Sequence, residues 1–62
     1  MTPKQFKAAR RKLGLSQSAL AQALGVKSDR TIRRWEDGEW PIKRQTEMAV
    51  KYMLEHGIPR QF

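Results

Sequence analysis

The chain contains no cysteine and one histidine, and these counts limit how a polypeptide of 62 residues can be held together. A fold of this size buries only about 60% of its unfolded surface, and many such domains are stabilised by disulfides or a structural metal ion. Without cysteine, a disulfide scaffold, a thiol nucleophile and a zinc finger are excluded. We therefore expect one small domain over residues 1–62 that is stabilised by helix packing alone.

Apolar residues recur at helical spacing between capping residues and glycines, which predicts four helices. Pro3 suits the first turn of a helix, and Gly14 suits the end of one. Ser16 and Ser28 can each cap a following helix, while Gly25 supplies the left-handed position between these two helices. The predicted helices span residues 3–13, 17–24, 29–36 and 42–55, and residues 57–62 are predicted to form an irregular tail.

Neither strand-type alternation nor an internal repeat is present, so the predicted fold class is all-α, a compact bundle of four to five helices. Unbroken apolar runs reach at most three residues, whereas a membrane-spanning helix needs about 20. The basic start is not followed by the apolar core of a signal peptide. We expect a soluble, cytoplasmic protein without a membrane segment.

The second and third predicted helices are joined through Gly25 by a turn of a few residues. This arrangement is typical of a helix-turn-helix unit, here over residues 16–37. Ala21 is suited to the crossing of the two helices, because a larger side chain would push them apart. Any helical hairpin with a glycine has similar spacing, so a generic helical bundle is an alternative.

Charge distribution on the third helix favours DNA binding. The net charge of the chain is +7. At about 100° per residue, Ile32 and Trp35 share one side of the helix, which we expect to be buried. Three arginines fall near the opposite side: Arg30, Arg33 and Arg34. The forked guanidinium fits guanine edges and phosphates, although a merely solvated basic face is the alternative.

A set of residues around this unit resembles the helix-turn-helix domain of the phage Cro and repressor (XRE-type) regulators. The match covers about residues 5–45 and rests on Leu15-Ser16-Gln17, Leu20-Ala21, Leu24-Gly25-Val26, Ile32 and Trp35-Glu36-Asp37-Gly38. The resemblance implies a five-helix, lambda-repressor-like DNA-binding domain whose third helix enters the major groove. The turn from Gly25 to Ile32 is one residue longer than in the commonest pattern of the family.

Roles for individual residues follow from the resemblance. It implies that the start of the second helix touches the DNA backbone through Gln17, and that Ser28 contacts phosphate where the third helix opens. It places base-reading side chains at Arg30 and Arg34, and Asp29 and Arg33 lie beside them. The full base-reading set is Asp29, Arg30, Arg33 and Arg34.

Lys43 and Arg44 open the fourth predicted helix, where cations oppose the helix dipole. This unfavourable placement suggests a compensating anion, so we interpret both as contacts to the DNA backbone rather than as solvated charges. Trp40 lies in the preceding link. It either covers the core beneath the third helix or rests against sugar and phosphate.

Arg10 and Glu36 each follow an apolar anchor, Phe6 and Ile32, by four residues, which places both charges at the edge of a buried stripe. Opposite charges at these places are expected to meet. The family resemblance also implies a structural ion pair between Arg10 and Glu36 that ties the first helix to the third.

Catalysis finds no support in the sequence. The single histidine, the absence of cysteine and the scattered acidic residues give no nucleophile–base pair, no carboxylate dyad and no metal-ligand set. We expect a protein that is not an enzyme and that uses no cofactor, no metal ion and no small-molecule effector.

The hypothesis that best fits these features is a sequence-specific transcription regulator of double-stranded DNA, a repressor that occupies an operator. Two alternatives are a basic helical module that binds an acidic protein or a membrane surface, and a non-specific nucleic-acid-binding protein, including one that binds RNA.

We expect a two-fold operator read by a homodimer that forms in solution or only on DNA, because one unit makes too few base contacts for specificity. On the fourth helix we expect Ile42, Ala49, Tyr52 and Met53 to face the core. An exposed apolar patch for pairing would then comprise Val50, Leu54, Ile58 and Phe62. Alternatively, Leu54 and Ile58 close the bottom of the monomer's core.

Overall fold

A computed structural model describes residues 1–58, and within this range the protein is all-helical. The all-α prediction is confirmed. Gly57 and Ile58 lie outside any helix, and the rest of the predicted tail, including Phe62, is outside the described residues. The described part of the chain contains four helices: α1 (Pro3–Leu13), α2 (Gln17–Leu24), α3 (Asp29–Glu36) and α4 (Arg44–His56).

The first helix begins at a reciprocal pair of hydrogen bonds. The backbone N–H of Gln5 donates to the Thr2 hydroxyl at 3.1 Å, and the backbone N–H of Thr2 donates to Gln5 Oε1 at 3.0 Å. Pro3 occupies the first turn, where no hydrogen-bond partner for its nitrogen is needed. These local interactions explain why the predicted start of α1 is correct.

The turn between α2 and α3 depends on Gly25, whose φ is +75°. Residues with a Cβ rarely adopt this left-handed conformation. The turn closes with the backbone N–H of Val26 donating to the Ala21 carbonyl at 3.0 Å. The Ser28 hydroxyl then accepts from the backbone N–H of Arg30 at 3.1 Å. Ser28 is therefore the N-cap of α3, and the longer turn is accommodated before the helix starts.

The core is assembled from one large side chain of each helix. The four side chains that are completely buried are Phe6, Leu20, Ile32 and Val50. Trp35, as predicted, is also buried, and its ring meets the ring of Phe6 edge-on with 5.7 Å between centroids. Every helix contributes to this cluster, in which α3 packs directly against α1 and α2, and α4 packs against α1.

The fourth helix faces the core differently from the prediction. Val50, predicted to lie in an exposed patch, is 0% exposed, whereas Tyr52, predicted to face the core, is 61% exposed. Apolar residues occupy positions 48–50 and 52–54, so helical periodicity alone does not select one face.

The start of α4 is also later than predicted, at Arg44 rather than at residue 42. Ile42 packs against the core from the extended segment before the helix. Among the described residues of the predicted patch, Leu54 and Ile58 are exposed.

The chain's amino terminus connects α1 to α4 through a small ion cluster. The Met1 ammonium group donates to Glu47 Oε1, and Lys51 Nζ lies 3.1 Å from Glu47 Oε2. Hydrogen bonds from the Met1 ammonium and then from Lys51 hold the pKa of the Glu47 carboxyl below its ordinary value. The contribution of this carboxylate to stability therefore depends on pH.

Replacement of Glu47 by glutamine should reduce the melting temperature at neutral pH. Because the folded state lowers the pKa of Glu47, the unfolded state binds more protons, and the stabilisation is complete only above the unfolded value of about 4.3. The difference in melting temperature between wild type and Glu47→Gln should shrink as the pH falls below that value. Thermal unfolding, monitored by circular dichroism at a series of pH values, measures this difference in melting temperature. A difference that stays constant from neutral to strongly acidic pH would contradict the assignment.

Candidate nucleic-acid interface

Helix α3 has one buried side and one basic side. Ile32 is completely buried and Trp35 is 9% exposed, whereas Arg30 and Arg33 on the other side are exposed. Within residues 1–58, neither Arg30 nor Arg33 makes a side-chain hydrogen bond or ion pair. Their guanidinium groups are therefore available to an external anion or acceptor.

Arg34 lies on the same side of α3 but is held by its own chain. Its guanidinium carbon is 4.6 Å from the centre of the Trp40 indole, a cation–π contact. Its Nη1 is also 4.0 Å from Glu39 Oε2. The three arginines therefore differ, since two are unrestrained and one is packed.

Asp29 is the first residue of α3 and is half-buried. Its Oδ2 accepts a hydrogen bond from the Ser18 hydroxyl at 3.4 Å, which links the beginning of α3 to α2. A carboxylate in the first turn of a helix is also stabilised by the helix dipole. Asp29 thus has a structural contact beside the base-reading role implied by the resemblance.

The residues expected to contact the DNA backbone lie at the openings of three helices. Gln17 is the first residue of α2, and Ser28 caps α3. Lys43 precedes α4 as its N-cap residue without a side-chain capping bond, and Arg44 is the first residue of α4. Both Lys43 and Arg44 are exposed. Helix openings present backbone N–H groups that favour anions, so these positions suit phosphate contacts.

A partly buried hydrogen-bond network lies behind this face. Arg10 Nε donates to Glu36 Oε2 at 2.6 Å, and the side chain of Glu36 is only 4% exposed. Arg10 Nη1 donates to the Leu15 carbonyl at 3.0 Å, and Gln17 Nε2 donates to Glu36 Oε1 at 3.2 Å. The network joins α1, the α1–α2 turn, α2 and α3, and it fixes the orientation of the Gln17 amide.

Sequence reasoning missed two contacts in this region: the stacking of Trp40 on Arg34 and the bond from Gln17 to Glu36. Arg34 and Trp40 are separated by the end of a helix, so helical spacing does not relate them. Gln17 and Glu36 are 19 residues apart. The family resemblance offered the one signal for Gln17, as a residue near the DNA backbone.

Over residues 1–58 no group of three or more histidine, cysteine or acidic side chains could hold a metal ion. None of the helices in this range combines the length and the apolar character needed to cross a membrane.

Comparison with known families identifies this arrangement. A helix-turn-helix family model matches residues 6–41, more than half of the chain. The protein belongs to this helix-turn-helix family, the Cro and phage-repressor (XRE) type, which is a family of DNA-binding transcription regulators. Comparisons with curated proteins and with solved structures give no significant match.

Glu36→Gln should lower the melting temperature sharply, because it leaves the Arg10 guanidinium partly buried without its counter-charge. Breaking such a pair costs up to about 3–5 kcal/mol. The free energy of unfolding of a domain of this length is itself about 3–9 kcal/mol. Urea or thermal unfolding of the variant measures the loss.

Glu39→Gln is the matched control, because the Glu39 side chain is 59% exposed and its arginine partner is 4.0 Å away. This variant should change the free energy of unfolding by no more than about 0.5 kcal/mol. If Glu36→Gln and Glu39→Gln unfold at the same temperature, the Arg10–Glu36 pair is worth no more than a surface pair.

Proposed function

We propose that the protein is a sequence-specific transcription regulator of double-stranded DNA, a cytoplasmic repressor that inserts α3 into the major groove of an operator. One observation carries the proposal. Arg30 and Arg33 project from the solvent side of a helix whose opposite side is fixed in the core, and neither side chain has a partner among residues 1–58. A rigid helix with free guanidinium groups satisfies the geometric requirement for reading bases in the major groove.

The position of each residue on the interface determines whether we assign it to base reading or to phosphate contact. Arg30 and Arg34, with Asp29 and Arg33 beside them, read base edges from α3. An arginine can donate two hydrogen bonds to guanine, and an aspartate can accept one from cytosine. A second group fixes the register of the protein on the DNA by contacting phosphates. These residues are Gln17, Ser28, Lys43 and Arg44.

The structure favours this function over a membrane-binding module. Binding in a bilayer surface needs an amphipathic helix whose apolar side is free to enter the lipid. The apolar side of α3 is occupied, because Ile32 and Trp35 are buried. A basic helix of this kind can bind an anion at its outer side but has no apolar side to offer a lipid.

Non-specific binding of single strands or RNA is also less favoured. Such binding uses aromatic rings as stacking platforms for bases. Trp40 is the exposed ring beside α3, and the Arg34 guanidinium lies over it. A platform covered by the protein's own arginine is poorly suited to stack a base.

A two-fold operator is part of the proposal. Two or three base contacts give a few kcal/mol of discrimination at about 1–3 kcal/mol each, whereas a genome offers on the order of a million or more competing sites. Two copies related by a two-fold axis double the contacts and place their α3 helices about 34 Å apart. Within residues 1–58, Leu54 and Ile58 are the members of the predicted pairing patch that are exposed, since Val50 lies in the core.

Arg34→Ala and Lys43→Ala should affect DNA binding in different ways. Arg34→Ala should weaken binding to the preferred duplex by about 1–3 kcal/mol and relax the base preference at one position. Lys43→Ala should weaken binding to all sequences alike and lower the slope of log K against log salt by about 1. Titrations on a duplex selected from a random pool, and on random duplexes, at several salt concentrations measure both effects.

Arg34→Lys is the matched control, because it keeps the charge and removes the bidentate fork. It should relax the base preference while leaving the salt slope unchanged. Equal losses on selected and random duplexes for both alanine variants would contradict the division into base-reading and phosphate-contacting residues.

Insertion of five base pairs between the two half-sites should reduce binding to the non-specific level. Half a turn of DNA places the second half-site on the opposite face of the duplex, where a two-fold dimer does not reach it. The control duplex keeps the original spacing and changes only the central bases. If affinity and stoichiometry survive the insertion, the protein reads DNA as a monomer.

A further inference from the structure

The chain reverses direction at the end of α3 and returns beside Arg34. Gly38 adopts a φ of +78°, a conformation that suits glycine. The backbone N–H groups of Glu39 and Trp40 then donate to the Arg34 carbonyl at 3.0 and 3.4 Å. The turn that ends the helix therefore anchors Trp40 to the backbone of Arg34 itself.

The Arg34 side chain is held between two residues of this turn. The indole of Trp40 lies 4.6 Å from the guanidinium carbon, and Glu39 Oε2 lies 4.0 Å from Nη1. Arg34 is half-buried, whereas Arg30 and Arg33 are exposed and have no such contacts within residues 1–58. A long side chain that is restrained before binding has less conformational freedom to lose when it binds.

On the basis of the function proposed above, we propose that Trp40 is a positioning residue that makes Arg34 the principal specificity-determining arginine of α3. The indole stacks on the guanidinium and keeps its donors in place at the surface of the helix. Base preference at the position that Arg34 reads therefore depends on Trp40, although Trp40 itself reads no base.

Two alternative roles for Trp40 would give different effects on DNA binding. Trp40 is 44% exposed and borders a cavity of about 350 Å³ that Lys43 also lines. A direct contact of the indole with sugar or phosphate would strengthen binding to every sequence alike. A purely structural role, as a cover over Trp35 in the same cavity, would affect stability and not base preference.

The test begins with selection of a preferred duplex by the wild-type protein. Dissociation constants are then measured on that duplex and on derivatives with each base pair changed, for Trp40→Ala, Trp40→Phe, Arg34→Ala and the Arg34→Ala/Trp40→Ala double variant. Tyr52→Ala is the matched control, because it removes another exposed aromatic residue, one that lies on α4 and not in the turn after α3. Thermal unfolding of each variant shows that it is folded.

Trp40→Ala should weaken binding to the preferred duplex about two- to fivefold, which is the range of an exposed cation–π contact. It should also reduce the base preference at one position of the duplex, the same position at which Arg34→Ala loses its preference. Trp40→Phe should retain most of the preference because it keeps an aromatic face. In the Arg34→Ala background, the further substitution of Trp40 should change the dissociation constant little. Tyr52→Ala should bind as the wild type does.

A second readout needs no DNA. In nuclear magnetic resonance spectra of the free protein, the indole ring current should shift the side-chain protons of Arg34. The shift should be lost in Trp40→Ala and retained in Trp40→Phe. Absence of any shift in the wild type would overturn the proposal.

The outcomes separate this proposal from the proposed function. If the wild type selects a duplex but Trp40→Ala keeps its full base preference, Trp40 does not position Arg34 and only this proposal fails. A uniform loss on all duplexes that persists in the Arg34→Ala background assigns Trp40 to the DNA backbone instead. If the wild type selects no duplex at all, the proposed function fails and this inference fails with it.

Discussion

The ion pair between Arg10 and Glu36 is the interaction on which the rest of the interface depends. The carboxylate of Glu36 is almost completely buried and accepts hydrogen bonds from Arg10 and from Gln17. Because Arg10 also bonds to the Leu15 carbonyl, one guanidinium fixes α1, the turn that follows it and α3 relative to one another. A chain without cysteine thus obtains from one largely buried ion pair a restraint between distant elements.

This restraint matters because the proposed function requires a rigid α3. Its eight residues contribute two apolar side chains to the core, and the opposite side carries three arginines. The like charges of these arginines repel one another at helical spacing, so the isolated segment would gain little from forming a helix. Packing of Ile32 and Trp35 in the core therefore stabilises the helical conformation of α3, which carries the basic surface.

Local signals made most of the fold predictable. Caps and glycines gave the bounds of the first three helices correctly, because those signals act within a few residues. The prediction of which side of α4 faces the core was wrong for Val50 and Tyr52. Apolar residues lie on nearly all sides of this helix, so tertiary packing decides which of them are buried. The contact of Trp40 with Arg34 depends on a reversal of the chain at Gly38, and periodicity within one helix does not describe such a reversal.

Competition between a selected duplex and bulk DNA, followed by mobility shift across a series of salt concentrations, tests the central claim that α3 reads DNA sequence. A sequence-specific regulator should bind its selected duplex about a thousandfold or more tighter than random DNA. That ratio should persist as salt weakens both complexes, because base contacts do not depend on counterion release. A ratio near one at every salt concentration would contradict the account, because the arginines of α3 would then act only as a general anion-binding surface.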